Sequence, residues 1–165
     1  MIHVRFSSLD EIDFDRLFEA SLPRMDAGTY PWPEGIDTTE KKRTFIRAHV
    51  ERVMSQPNSF CFKGVLDGTN ISAIFGTVRR DQFYGALSLA GPDGNGSRAY
   101  AYDQAVIADM QALLATNGIT EFYGFMPKAS PLRATIPARH DITDNSYSPH
   151  LRDGVDTGQD LFRLC

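Results

Sequence analysis

The sequence predicts an α+β fold, a mixed and largely antiparallel central sheet flanked by helices. Three observations predict it. Strand-like runs, Phe60 to Leu66 and Ile71 to Val78, stand on either side of the turn residues Asp67-Gly68-Thr69-Asn70. Helical stretches with apolar stripes stand before and after that block. The strands come as a group rather than alternating with helices, which argues against a doubly wound parallel sheet.

Ile2 to Phe6 is short and alternating and reads as the first strand. Ser8 and Glu11 have capping-box spacing, so a helix is expected from there. Leu9, Ile12, Leu17 and Phe18 form its apolar side, and Pro23 marks its end. The segment from Met25 to Ile36 holds Gly28, Pro31, Pro33 and Gly35, and is expected to be neither regular helix nor central strand. It carries Tyr30 and the single tryptophan, Trp32. Asp37 and Glu40 repeat the capping spacing and open a second helix, whose stripe includes Phe45, Ile46, Val50 and Val53 with His49 among them. Pro57 and Asn58 end it. After the hairpin, Phe83 to Ala90 completes a three-strand meander, weakened at Gly85. A glycine-rich stretch, Gly91 to Arg98, leads into a helix from Tyr100 to Asn117, with Gly118 at the position of a C′ glycine. Thr120 to Met126 is a further strand. Ser130-Pro131 reads as the cap and first residue of a short helix to Ile136. Residues 141–165 read as an irregular tail whose Leu161 to Leu164 forms an edge strand. No internal repeat or low-complexity tract stands out.

The chain of 165 residues suits one domain spanning its whole length. Its net charge of −4 argues against nucleic acid as the main partner. No apolar run reaches the roughly 18–20 residues of a membrane helix. The opening residues turn acidic without a hydrophobic stretch, unlike a secretory signal. Cys61 and Cys165 are too few for a disulfide framework and fit reduced thiols, so a cytoplasmic location is expected.

The Gly91–Arg98 stretch is the place where chemistry is expected. Its glycines leave room for a ligand against the backbone, and the following helix would aim free N–H groups and its positive dipole end there. Arg98 would add a fixed charge suited to phosphate. An ordinary surface loop is the alternative. There is no Gly-Lys-Ser/Thr for a Walker loop, and the glycine spacing does not make a dinucleotide fingerprint. Asp93, Asn95 and Ser97 alternate as in a calcium loop, but Arg98 and Gln104 replace its glycine and glutamate.

Strand, two helices, meander, glycine loop, helix and strand together resemble the GNAT superfamily of acyl-CoA-dependent N-acyltransferases, over roughly Ile2 to Ile136. The resemblance implies acetyl-CoA or another acyl-CoA as co-substrate, and a small-molecule or peptide amine as acceptor. It also implies that amides around Gly94, Asn95, Gly96, Ser97 and Arg98 hold the CoA pyrophosphate. Here Arg98 follows the glycines, whereas the family's Arg or Gln precedes them, and Pro92 removes one donor. The family's pantetheine arm pairs with the edges of splayed fourth and fifth strands. That implies Leu87 to Ala90, with Leu89 and Ala90 as cofactor contacts, and Phe122 to Phe125. The Met25–Ile36 segment lies where family members build the acceptor pocket, which makes Tyr30 and Trp32 substrate-binding candidates. An aromatic plug on the core is the equal alternative for both.

Acyl transfer to an amine needs a proton acceptor for the nucleophile and a proton source for the leaving thiolate. The resemblance implies a carboxylate near the fourth strand, where only Asp81 stands, and a tyrosine after the fifth, where the segment from Pro127 to Pro137 has no tyrosine and Ser130 is the only hydroxyl near its start. Asp81 also reads as a solvated turn residue, and Ser130 as a helix cap. Tyr123, on the fifth strand, is the third catalytic candidate, with a half-buried core tyrosine as its alternative. The four histidines show no metal-ligand spacing, and Cys61 reads as a small buried hydrophobe. Two further readings stand beside the enzyme: a non-catalytic GNAT-like binding or structural module, and an unrelated α+β domain.

Overall fold

The computed structural model describes residues 2–30, 32–91, 104–127, 142–143, 151–152, 155–156 and 159–163. Strand β1 (Ile2–Phe6) is followed by a 3-10 turn (Leu9–Glu11) and helix α1 (Phe14–Arg24). A π-helical turn (Met25–Thr29) and helix α2 (Thr39–Met54) come next. The meander is β2 (Ser59–Leu66), β3 (Thr69–Arg79) and β4 (Gln82–Ala90). Helix α3 (Gln104–Thr116) leads to β5 (Glu121–Pro127). Short strands β6 (Ile142–Thr143), β7 (Leu151–Arg152) and β8 (Val155–Asp156) precede β9 (Gln159–Arg163).

Seven strands form one sheet in the order β1-β2-β3-β4-β5-β9-β6, and β7 with β8 makes a separate pair. Every neighbouring pair in the large sheet is antiparallel except β4 and β5, which run parallel. This is a GNAT-like α+β fold. Helices α1 and α2 cover one face, where Leu17, Phe18, Ile46 and Val50 meet Cys61, Phe75 and Leu89. Helix α3 covers the other, where Val106, Met110 and Leu114 meet Phe60, Phe62, Phe83 and Phe122. Cover on both faces explains why β3 runs apolar from Ile71 to Phe75 with little alternation, Ser72 apart. Cys61 is buried as expected, and burial pushes its thiol pKa up, which suits packing and not nucleophilic attack.

The structure differs from the sequence expectations at four boundaries. The Ser8–Glu11 capping box exists, but it closes only the 3-10 turn; Ile12 is extended and α1 starts afresh behind an Asp13 cap. Pro23 does not end α1, which runs to Arg24 and on into the π turn. The missing N–H costs one ladder bond, while the fully buried Leu17 and Phe18 hold the helix on the sheet. Thr38, not Asp37, caps α2, accepting from the Lys41 amide, and Asp37 pairs instead with Lys41 Nζ at 2.8 Å. The expected edge strand at Leu161 to Leu164 is β9, which has β5 on one side and β6 on the other. The β2–β3 turn is a tight two-residue one: Asp67 and Gly68 have φ of 49° and 78°, the left-handed pair of a type I′ hairpin. Gly118 has φ of 72°, as a C′ glycine should. The short helix expected at 131–136 lies outside the described residues.

His3 joins β1 to α3. Its buried ring lies edge-on to Phe62, with Nδ1 2.5 Å from Asp109 Oδ2. Burial pushes its pKa below 6.5, against the opposing pull of Asp109. The folded state therefore binds fewer protons than the unfolded chain just below that value. The resulting stability is complete above pH 6.5 and is lost as pH falls through the lower folded value. We expect the urea midpoint to drop as pH falls below 6.5, and His3→Asn to flatten that decline. Identical slopes for the two proteins would contradict it.

Candidate functional site

The parallel ladder between β4 and β5 holds three pairs: Gln82 with Glu121, Phe83 with Phe122, and Tyr84 with Tyr123. Beyond them the strands part. β4 stays registered with β3 as far as Ser72–Ala90, and β5 stays registered with β9 as far as Pro127–Gln159. A gap therefore opens inside the sheet between Gly85–Ala90 and Gly124–Pro127, bounded by two strand edges.

The closed end is built from like residues. Gln82-Phe83-Tyr84-Gly85 and Glu121-Phe122-Tyr123-Gly124 form a four-residue near-repeat, where none is expected from the sequence. On the α3 face, Phe83 and Phe122 stack at 5.0 Å and 8°. On the opposite face, Tyr84 and Tyr123 stack at 5.3 Å and 13°. The Tyr84 hydroxyl donates to Gln82 Oε1 at 2.8 Å, and Gln82 Nε2 donates to Glu121 Oε2 at 3.0 Å. The Tyr123 hydroxyl donates to the same carboxylate oxygen at 2.5 Å. This network ties the strands together up to the vertex of the gap.

A β-bulge sits just past that vertex. Phe75 pairs with Leu87 and Gly76 with Gly85, so Ala86 is an extra residue on β4. The bulge shifts the alternation by one, which returns Leu87 and Leu89 to the face that Tyr84 occupies. It also sets which main-chain groups face the gap. The Gly91 amide donates to Ile71 O at 2.8 Å, toward β3. Alternation then turns Leu89 toward its partner Ala73, and turns Ser88 and Ala90 toward the gap. Of the two expected cofactor contacts, Ala90 presents its backbone there and Leu89 does not.

Helix α1 reaches this edge. The Ala90 amide donates to Ser21 Oγ at 2.9 Å, and that hydroxyl lies 3.3 Å from Ala90 O. Arg24 Nη2 donates to Ser88 O at 3.1 Å, and burial draws its pKa below the ordinary arginine value.

The other sequence candidates are spread out. Asp81 lies at the β3–β4 turn, at the end of β4 opposite to Ala90. Its carboxylate accepts from Thr120 Oγ1 at 2.6 Å, and that bond holds its pKa low. Its carbonyl accepts the Thr120 amide at 2.8 Å. Asp81 thus fastens the start of β5 and is distant from the gap. Tyr123, at 8% exposure, sits at the vertex. Tyr30 and Trp32 meet at 4.6 Å with their rings tilted by 50°, and both present edges to Phe45. The Trp32 indole N–H donates to Asp26 at 3.1 Å, and Lys42 lies over the Trp32 ring and pairs with the same Asp26. These rings are committed to the connection between α1 and α2, which begins directly after Arg24. Gly94, Asn95, Gly96, Ser97, Arg98 and Ser130 lie outside the described residues. Sequence reasoning missed Gln82, Tyr84 and Glu121, as well as Ser21 and Arg24. The near-repeat was a usable signal for the first group, whereas nothing local marks the second.

No protein-family model matches the chain, and no curated protein matches it. Solved structures do. The PaiA N-acetyltransferase from Thermoplasma acidophilum, in complex with coenzyme A, aligns at 12% identity and a TM-score of 0.56, over 99% of this chain and 98% of that one. RimL, a ribosomal L7/L12 alpha-N-protein acetyltransferase in complex with coenzyme A, aligns at 9% identity and 0.58, over 99% and 93%. The GNAT domain of S. lividans PAT aligns at 12% identity and 0.56, over 98% and 88%. The chain has the GNAT-like fold that its element order resembles.

Proposed function

We propose that the protein is an acyl-CoA-dependent N-acyltransferase, acetyl-CoA being its co-substrate and a small-molecule or peptide amine its acceptor. The observation that carries this reading is the gap between β4 and β5, which offers strand edges in the interior of a sheet immediately before Gly91. An extended arm with amides, such as pantetheine, adds to such an edge as an extra strand would. Amides of Gly94, Asn95, Gly96, Ser97 and Arg98 then receive the pyrophosphate ahead of α3. PaiA and RimL, both solved in complex with coenzyme A, support the cofactor class. The absence of any membrane-length apolar helix among the described residues is compatible with a cytoplasmic enzyme.

In the reaction, the amine nitrogen attacks the thioester carbonyl carbon. A C–N bond forms, the C–S bond breaks, the ammonium gives up its proton, and the thiolate leaves and takes one. Holding amine and thioester together supplies much of the rate. Tyr123, on the last paired rung beside Tyr84, serves as proton donor, with Glu121 behind it as proton acceptor. Asp81 serves β4–β5 closure and takes no part. The amine enters beside the α1–α2 connection, where Tyr30 and Trp32 stand.

Acetyl-CoA at 100 times its dissociation constant should stabilise the protein by about 2.7 kcal/mol, raising the melting temperature by roughly 5–11 °C. Tyr123→Phe should retain that shift while turnover on a responsive amine falls about 100-fold. No shift with any CoA ester, in this chain or in variants that lack the α1 contacts to β4, would overturn the reading. A shift without turnover across a broad amine panel would favour the non-catalytic module.

A further inference from the structure

We infer that the last turn of α1 is a gate on the β4 edge, and that Ser21 and Arg24 must release that edge before an acyl-CoA arm can pair with it. The inference rests on the acyl-CoA reading above. An arm lying in the gap as an added strand needs the main-chain groups that β4 turns toward it. At two successive edge positions those groups are engaged. The Ser21 hydroxyl bonds both the N–H and the C=O of Ala90, and the Arg24 guanidinium bonds the C=O of Ser88. Ser21 is 1% exposed, so this contact is enclosed by protein and is not a loose surface association. It satisfies backbone groups that the bulge and the parting of the strands would otherwise leave without a sheet partner.

We ascribe the motion to the turn that lies between the buried Leu17 and Phe18 before it and the buried Met25 after it. Leu17 and Phe18, both 0% exposed, anchor the front of the helix on the core. Behind them Pro23 has no N–H to give to the ladder, and the turn after Arg24 is a π turn, wider and weaker than α-helix. Ser21 and Arg24 lie at this weakened end. The closed form lowers apparent affinity by the fraction of molecules that are open, so loosening the gate should tighten binding.

Calorimetric titration of acetyl-CoA into the native chain, Ser21→Ala and Arg24→Met tests this. Each variant should bind more tightly than the native chain, by about tenfold for a contact of this size. Ser21→Ala also strips a partner from a buried amide, so Arg24→Met, which keeps an unbranched apolar stem at a half-exposed site, guards against a folding defect. Binding by the variants alone, with none by the native chain, would support the gate most strongly. Equal or weaker binding by Arg24→Met, with the native chain binding, would overturn the gate and leave the acyl-CoA reading standing. No binding by any of the three would overturn both.

Discussion

Phe83→Ala is expected to lower stability by about 3–5 kcal/mol, the usual cost of removing a buried phenylalanine. For a chain of this size that corresponds to a fall of roughly 6–20 °C in melting temperature. Phe83 is fully buried at the junction of β3, β4 and β5. Its ring stacks on Phe122 at 5.0 Å and meets Phe62 at 5.5 Å and Phe60 at 6.0 Å. The surrounding rings belong to β2 and β5, each held by its own ladder, so they have little freedom to collapse into the void. The stack with Phe122 also closes the parallel pair below the gap, so under the proposed function acetyl-CoA binding should weaken along with stability. Urea melts followed by circular dichroism would check the size of the loss. A loss under about 1.5 kcal/mol would mean that the pocket relaxes and the closed end is softer than its packing implies.

Gly76→Ala should be comparably damaging for the opposite reason, because it adds atoms where none fit. A Cβ at Gly76 would lie 2.4 Å from Phe83 Cζ and 2.4 Å from the Tyr84 carbonyl oxygen. A ring can pivot, but the carbonyl belongs to the β4 backbone and moves only if the strand moves. Overpacking usually costs about 1–3 kcal/mol and sometimes more. With a backbone atom in the way, we expect about 3 kcal/mol or more here. The double variant with Phe83→Ala separates the two clashes. If the ring were the whole obstacle, Gly76→Ala would become nearly neutral in that background. The Tyr84 oxygen predicts only partial relief, since the two sites are in contact and their effects should not add. The strand would have to yield at the bulge, so the variant should also disturb the gap.

These effects concentrate where the sequence was hardest to read. The hairpin, the helices and the strand spans were legible because periodicity and turn residues are local properties. Asp67-Gly68 marks its turn through the left-handed φ values that the hairpin demands. Gly118 marks the end of α3 in the same way. Pro23 misled because local propensity was outweighed by the burial of Leu17 and Phe18. Asp81 drew interest as the one carboxylate near the fourth strand, yet its partner is Thr120, 39 residues away. The repeated Phe-Tyr-Gly of β4 and β5 was in plain view, but it gains meaning only when a parallel ladder sets the two copies side by side.

The order of residues determined by itself the class of fold, the meander, the helical faces and the buried character of Cys61. These follow from which side chains prefer water and how often they recur along a strand or helix. Tertiary structure alone decided where β4 and β5 part, which backbone groups face the gap, and that α1 occupies them. Those outcomes depend on one bulged residue and on contacts between Ser21 and Ala90, 69 positions apart. Such pairings are selected by the packing of the whole sheet, which no local stretch of sequence encodes.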